Sequence, residues 1–297
     1  MPIIETFRRY TPLGLRFWDA ATDTRVSGAL AVRVWREDDP RQQVSGRPTV
    51  GGNMAVHNIP GLSEVERSGV PVGTPPGSLT QETYVVEVTD LDRRFVPTSF
   101  RVDLPRAERG FYTIHEDESP PDDRPLGVFL FSAPERPVPT QLATVRASMR
   151  RSDTGTPVAF AAVYAELDDG GVDPAGRLWA GISDANGNVQ ILFPYPRVEF
   201  VPPTSPPGNG SPLSGYTWPL RFRVHSAPDD LDTPEGSEVP EVQSIFDQAQ
   251  ASLIPDASDP STSSPDLPVS LQHGRPCVAE TANAPPEEQG YLFVQPA

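Results

Sequence analysis

Hydrophobic and polar residues alternate through residues 145–193, and short turn sequences interrupt the alternation. One turn, at 152–155, reads Ser-Asp-Thr-Gly, and another, at 184–187, reads Asp-Ala-Asn-Gly. Alternation with a period of two places one face of a strand in a core, and turns of this type connect antiparallel strands. The pattern therefore predicts a small antiparallel β-domain made of hairpins.

A second region of alternation occupies the first third of the chain, around residues 13–35 and 84–104. Proline accounts for 37 of the 297 residues, and it fits turns and sheet edges rather than the interior of a helix or ladder. We predict an all-β protein with two tandem antiparallel β-sandwich domains, one C-terminal helix and an extended proline-rich tail. The predicted divisions are an N-terminal lead at 1–12, the first sandwich at 13–105, a proline-rich linker with a short strand at 106–139, the second sandwich at 140–225, and an extension at 226–297.

Residues 239–253 show helical periodicity, with apolar residues three or four positions apart. Pro240 stands near the start and Pro255 marks the stop. The apolar stripe of this helix must be buried, first of all in the core of this chain and alternatively against another subunit. The apolar run at 291–294 is expected to return as an edge strand. The candidate partner-binding residues are therefore Val242, Ile245, Phe246, Leu253, Tyr291, Leu292, Phe293 and Val294.

The charge balance limits the classes of partner. The net charge is −16, and all 24 basic residues are arginine because the sequence contains no lysine. Nucleic acids and anionic membranes attract basic surfaces, so an acidic chain argues against both. No segment approaches the roughly 20 apolar residues of a membrane helix, and we predict no membrane insertion. Other protein subunits are the expected partners. The first residues lack the apolar run of a signal peptide, so we expect a cytoplasmic location at synthesis, with release in an extracellular particle left open.

Catalytic and metal-binding patterns are weak in this sequence. The histidines are His57, His115, His225 and His273, and they have no metal-ligand spacing. The single cysteine, Cys277, has no evident base. The turn at 184–187 resembles the start of a calcium loop, but its twelfth position is Tyr195 rather than an acid. An acidic cluster at 168–173 is a second calcium candidate, set against a solvated hairpin end. We predict no enzyme activity and no cofactor.

The two predicted domains begin with related sequences. Residues 22–26 (Thr-Asp-Thr-Arg-Val) align with 154–158 (Thr-Gly-Thr-Pro-Val), and each segment lies between alternating strands. Together with the Asp-x-x-Gly hairpin at 184–187, the second copy resembles the transthyretin-like β-sandwich of carboxypeptidase regulatory-like domains. The first copy departs from this pattern, with Asp and Arg in place of Gly and Pro. The resemblance implies a transthyretin-like or immunoglobulin-like sandwich, a fold that serves unrelated functions.

Two further stretches, at 84–97 and 130–139, resemble proteins encoded beside phage tail-like contractile injection machinery. This resemblance implies a non-catalytic structural or adaptor subunit of such a particle. One alternative is a carbohydrate-binding accessory module, and the other is an adhesin-like surface stalk. The tryptophans that a sugar platform would use fall on or beside predicted strands, where packing in the core is the first expectation. They are Trp18, Trp35, Trp179 and Trp218.

Overall fold

A computed structural model describes residues 9–70, 79–106, 111–113, 126–168, 178–196 and 215–297. Regular structure in this part of the chain is mostly β, so the prediction of an all-β protein is confirmed. The strands are β1 (Leu13–Leu15), β2 (Phe17–Asp19), β3 (Thr24–Val26), β4 (Leu30–Arg36), β5 (Asp39–Ser45), β6 (Arg47–Pro48), β7 (Met54–Val56), β8 (Glu82–Asp90), β9 (Thr98–Leu104), β10 (Val128–Leu130), β11 (Leu142–Arg151), β12 (Ala162–Leu167), β13 (Leu178–Ile182), β14 (Asn188–Pro194), β15 (Thr217–His225), β16 (Ser252–Ile254), β17 (Leu267–Gln272), β18 (Cys277–Val278) and β19 (Tyr291–Gln295). The α-helices are α1 (Ser63–Ser68) and α2 (Val242–Phe246). Among the described residues, no helix combines the length and the apolar character needed to cross a membrane.

The first core forms around an antiparallel sheet with the strand order β5-β4-β8-β9. Tyr84, Val86 and Val88 share one face of β8 and pack with side chains from two three-stranded sheets, β1-β7-β6 and β10-β2-β3. Val85 and Glu87, on the opposite face, are also buried. Alternate residues of a strand point to opposite faces, so the outer face of this sheet is covered as well.

The second core lies between two sheets. One has the order β14-β11-β19-β16, with β18 also paired to β11, and the other has the order β13-β12-β15-β17. Met149, Ile191 and Leu292 of the first sheet belong to the same buried cluster as Val163 and Phe222 of the second. The two sheets therefore pack face to face, with alternate residues of each strand inside.

The helix predicted at 239–253 is wrong in its extent. Only Val242–Phe246 is helical, and Leu253 lies in the strand β16. The chain leaves the helix because its backbone then pairs with the end of β15. The Ser226 amide donates to the Ala249 carbonyl at 2.9 Å, and the Ala251 amide donates to the Val224 carbonyl at 2.9 Å. This pairing continues the sheet and cannot coexist with an α-helix at the same residues.

The extended tail predicted to follow the helix at 239–253 is also wrong. β17 pairs with β15, β16 pairs with β19, and both β18 and β19 pair with β11 in parallel. β19 lies between β11 and β16, so the apolar run at 291–294 is an interior strand and not an edge strand. The physical reason is burial: Leu292 and Val294 are fully enclosed in the second core.

The turn at 184–187 depends on its glycine. Gly187 has φ +77°, and a Cβ at this position would lie 2.4 Å from the Met149 carbonyl oxygen. Gly155 has a similar φ of +69°, but a Cβ there would meet no atom within 4 Å. The two glycines share a conformation and differ only in available space.

We expect Gly187→Ala to lower the free energy of unfolding by roughly 3 kcal/mol, since backbone strain and a backbone clash add together. Gly155→Ala is the matched control and carries only the left-handed strain of about 1 kcal/mol. Denaturant unfolding followed by tryptophan fluorescence measures both changes. Equal losses in the two variants would contradict the role given to crowding at Gly187.

Candidate functional site

The residues with catalytic or metal-binding chemistry are dispersed in the described part of the chain. Cys277 is buried, and burial raises the pKa of its thiol to about 11, which keeps it protonated at neutral pH. Within the described ranges, no three His, Cys, Asp or Glu side chains are grouped as metal ligands. The Asp184 carboxylate accepts hydrogen bonds from the amides of Asn186 and Asn188 at 2.9 and 2.8 Å, as in a β-turn. Of the acidic cluster at 168–173, residues 169–173 lie outside the described residues, as does His115.

The tryptophans contact their own chain. Trp35 is fully buried, and its Nε1 donates to the Glu235 carbonyl at 2.9 Å. Trp218 is also buried, Trp18 donates to the Leu126 carbonyl, and Trp179 stacks on Phe193 with ring centroids 4.0 Å apart. Sugar platforms need an open aromatic face, and the faces of Trp35 and Trp218 are enclosed. These contacts favour packing for all four rings.

The most extensive polar site joins the two cores. Residues 226–250, which we call the clasp, leave β15 of the second core, cross the first sheet, and return as β16 to the second core. The clasp covers the outer face of β8 and β9: the Ser237 hydroxyl donates to Glu87 at 2.9 Å, and the Ser99 hydroxyl donates to the Val239 carbonyl at 2.9 Å. Ser99 and Glu87 are buried. The clasp therefore explains why both faces of the first sheet are enclosed.

Arg101 of β9 is the centre of the clasp contacts. Its Nε donates to Glu37 at 2.7 Å, and its Nη1 donates to Asp232 at 2.8 Å and also to Glu241. The Arg101 amide donates to the second oxygen of Glu241 at 3.1 Å. Burial acts to lower the pKa of Arg101, but the hydrogen bonds to Asp232 and Glu37 and the charge of Glu241 raise it overall. One guanidinium thus links the first sheet to two parts of the clasp, at Asp232 and at Glu241.

The apolar side of the clasp is packed against this chain. Val242 and Ile245 are buried in the first core, in a cluster that also contains Ala162 from the second sheet system. The Phe246 ring lies 5.1 Å from Phe131 and 6.4 Å from Tyr164, centroid to centroid. The first expectation for the apolar stripe, packing in the core of this chain, is therefore what the structure shows.

Most of the predicted partner-binding residues are enclosed by their own chain. Val242, Ile245, Leu253, Leu292 and Val294 are buried, so contact of these side chains with another subunit needs them to leave their present packing. Phe246, Tyr291 and Phe293 are half-buried. The prediction that these side chains form a partner-binding surface is corrected for the five buried residues, because they complete the two cores.

A second polar link joins the first core to the linker and to β14. Arg136 donates from both terminal nitrogens to the two carboxylate oxygens of Asp19, at 2.9 and 2.5 Å. The side-chain amide of Gln190 donates to the Arg136 backbone carbonyl at 2.9 Å. Burial acts to raise the pKa of Asp19, but the hydrogen bonds from Arg136 and the Ala21 amide outweigh it, so this pKa lies below its ordinary value of 3.8. This paired geometry fixes both groups in one arrangement.

A shallow cleft of about 440 Å³ opens beside the clasp. Its charged lining is mostly acidic, and Arg36 there is already paired with Asp38 and Glu82. The lining residues are Arg36, Glu37, Asp38, Glu82, Thr83 and Glu235.

The sequence analysis missed the clasp. Its contacts join residues as far apart as Arg101 and Glu241, which are separated by 140 positions. One local signal was present: in β9 an arginine stands between Phe100 and Val102, both of which are buried. A charged residue inside a strongly apolar strand marks an outer face, but it does not tell what covers that face.

Comparisons with known proteins add little. No protein-family model and no curated protein matches the chain. Among solved structures, the Bacillus anthracis TIE protein is similar at 11% identity and a TM-score of 0.22; the match covers 76% of this chain and 30% of that one, so this chain spans under a third of its length. The shaft pilin SpaA from Lactobacillus rhamnosus GG is similar at 10% identity and a TM-score of 0.20, with 95% and 100% of the two chains covered. Similarities this low support no argument.

Replacing Arg101 by Gln is expected to lower the free energy of unfolding by roughly 1 to 3 kcal/mol, since several charge-assisted hydrogen bonds are lost from a partly screened site. Arg36→Gln, on the same sheet but in exposed ion pairs, is the control and should change stability little. Thermal and denaturant unfolding compare the two variants. A loss for Arg36→Gln as large as that for Arg101→Gln would refute the special role of the clasp contacts.

Asp19→Asn is expected to lower stability at pH 7 by about 2 kcal/mol, because a charged hydrogen-bonded pair is broken. The folded-state pKa of Asp19 is depressed, so its contribution is fully present above the unfolded pKa near 3.8 and disappears as the pH falls through the lower folded pKa. Unfolding curves of the wild type and the variant should therefore converge in acid. A difference that stays constant from pH 7 to pH 2 would rule out this carboxylate linkage.

Proposed function

We propose that this chain is a non-catalytic structural subunit that works by binding other protein subunits. The observation that carries the proposal is the clasp, which starts from the second core, hydrogen-bonds across the first sheet and returns to the second core. Such a connection supports a single body with two cores, in the manner of tandem sandwich domains held at a fixed angle. A body of this kind presents surfaces with a constant spacing, which suits assembly.

The chemistry of the clasp supports the same role. Arg101 and the Asp19–Arg136 pair are fixed by several hydrogen bonds each, and multiple bonds restrict the geometry more than one ion pair does. The sequence has no lysine and one cysteine, so it offers no side-chain amine for an amide cross-link and no cysteine pair for an internal disulfide. Cohesion between the two cores of this chain therefore depends on noncovalent contacts such as these.

Two finer versions of the proposal come from the sequence. The first is a subunit of a phage tail-like contractile particle, and it rests on the sequence resemblance alone. The second is an adhesin-like surface stalk; the name of one similar structure, a shaft pilin, agrees with it, although at a TM-score of 0.20 that agreement has no weight. The proposal that the sandwiches are transthyretin-like also rests on a sequence resemblance alone, that of the turn motifs.

The experiment is to isolate the protein under native conditions from the cells that make it and to measure the mass of the complex it occupies. We expect a mass well above the 32.2 kDa of one chain, with defined protein partners identified by mass spectrometry. Fractionation of the same cells separates the finer versions, since a surface stalk follows the envelope and a particle subunit follows the particle. A protein found only as a free single chain would disprove the structural role.

A further inference from the structure

Strand β19 has an interior position in its sheet, but it is reached through an unattached tether. β19 pairs in parallel with β11, with Tyr291 opposite Ser148, and antiparallel with β16, with Val294 opposite Leu253. Residues 285–290, the tether, are all exposed. The hydrogen bonds of the tether stay within it or reach only Tyr291, and none joins it to another described part of the chain. A strand in the interior of the sheet is therefore connected to the rest of the chain by six residues that make no hydrogen bond to the described residues of the core.

β19 occupies a slot between β11 and β16, and other parts of the chain form all of this slot. Leu292 and Val294 are fully buried in the second core. The Ser152 amide donates to the Val294 carbonyl at 2.8 Å, and the Arg150 guanidinium lies 4.2 Å from the centre of the Tyr291 ring. All the groups that line this slot come from residues before the tether. The slot between β11 and β16 is therefore complementary to β19 whichever copy of the chain supplies it.

We propose that β19 is exchanged between two copies of this chain, so that the strand of one copy fills the slot of the other. Every contact inside the slot is kept in the exchanged form, because both copies have the same slot and the same strand. Only the path of the tether differs. This inference rests on the proposed assembly role and deepens it by naming one partner, a second copy of the chain.

The chain is anchored just before the tether, which limits the exchange to the part that follows it. The Ala282 amide donates to the Pro255 carbonyl at 2.9 Å, and the Asn283 side chain donates to Asp256 at 2.9 Å. Six extended residues span about 20 Å, enough to reach an adjacent molecule. In this chain the tether is turned rather than extended, with the Glu288 amide donating to the Pro285 carbonyl at 2.8 Å, so the exchange requires this turn to open. Pro285 and Pro286 restrict the backbone at the start of the tether, which lowers the entropy lost when it bridges two copies.

The decisive experiment mixes two full-length chains that each carry one new cysteine. Both have Cys277→Ala, so that no native thiol reacts. One copy has Ser148→Cys, the other has Tyr291→Cys and a size tag, and the two are unfolded and refolded together before oxidation. These two positions are direct partners in the pairing of β11 with β19. We expect a covalent pair of unequal chains on a non-reducing gel.

The matched control pairs Ser148→Cys in one copy with Asn188→Cys in the other. Ser148 and Asn188 are direct partners between β11 and β14, and neither lies after the tether, so this mixture should give no covalent pair. A single chain with both Ser148→Cys and Tyr291→Cys shows that the site can oxidise. If that chain closes internally while the Ser148/Tyr291 mixture gives no more covalent pair than the control mixture, the exchange is disproved.

The length of the tether gives an independent measurement. Deletion of residues 287–289 shortens the connection to β19 and should raise the dimer fraction in light scattering, whereas three inserted glycine and serine residues should lower it. An equal dimer fraction in the deletion and insertion variants contradicts the exchange. Isolation of the native protein with other partners, together with no cross-copy disulfide in the Ser148→Cys and Tyr291→Cys mixture, would reject the exchange and leave the structural role intact. Cross-copy bonds in a protein that is always a free single chain in its cells would reject the role instead.

Discussion

The multiple hydrogen bonds of Arg101 are the contact on which the arrangement of the two cores depends. They connect β9 with Asp232 and Glu241, which lie 131 and 140 positions later in the chain. These two residues belong to the segment that covers the outer face of the first sheet. A charge removed from water needs partners in good geometry, and here three carboxylates surround one guanidinium. Glu87 and Ser99, buried beneath the clasp, have partners of their own in Ser237 and the Val239 carbonyl, so the polar groups at this contact are paired.

The apolar contacts of the clasp follow from its polar ones. Once the carboxylates are in place, the chain directly after Glu241 turns through α2 and places Val242 and Ile245 in the first core. Phe246 then contacts Phe131 and Tyr164, which belong to different halves of the chain. The contact between the clasp and the first core thus combines polar pairs, some of them buried, with an apolar cluster.

Alternation of apolar and polar residues predicted the strands that are buried by parts of the chain close to them in sequence. Strands β11, β12 and β14 fall within the stretch of clearest alternation, and β4, β8 and β9 fall within the earlier one. In each of these strands the period of two reports which side chains face a core. The turn at 184–187 was equally readable, since an Asp side chain and a glycine with positive φ both act within four residues.

The errors arose where burial is decided by distant parts of the chain. Between 239 and 253, apolar residues that serve two cores happen to fall at helical spacing, although Ile245 belongs to the first core and Leu253 to the second. β19 looked like an exposed edge because nothing near it in sequence shows that β11 and β16 lie on either side. The candidate site failed for the same reason, since the partners of Arg101 cannot be inferred from a window of sequence.

The parallel pairing of β11 with β18 and β19 has a consequence for how the chain folds. Val145 pairs with Cys277 and Ser148 with Tyr291, so one edge of the longest strand of the second core gains its neighbours from residues more than a hundred positions away. Contacts of such large sequence separation are slow to form, because a long loop must close before they stabilise anything. During synthesis, β11 has its antiparallel partner β14 early, but its opposite edge stays at least partly unpaired until β19 leaves the ribosome. We expect the first half to gain structure before the second, with that open edge as the point most exposed to aggregation.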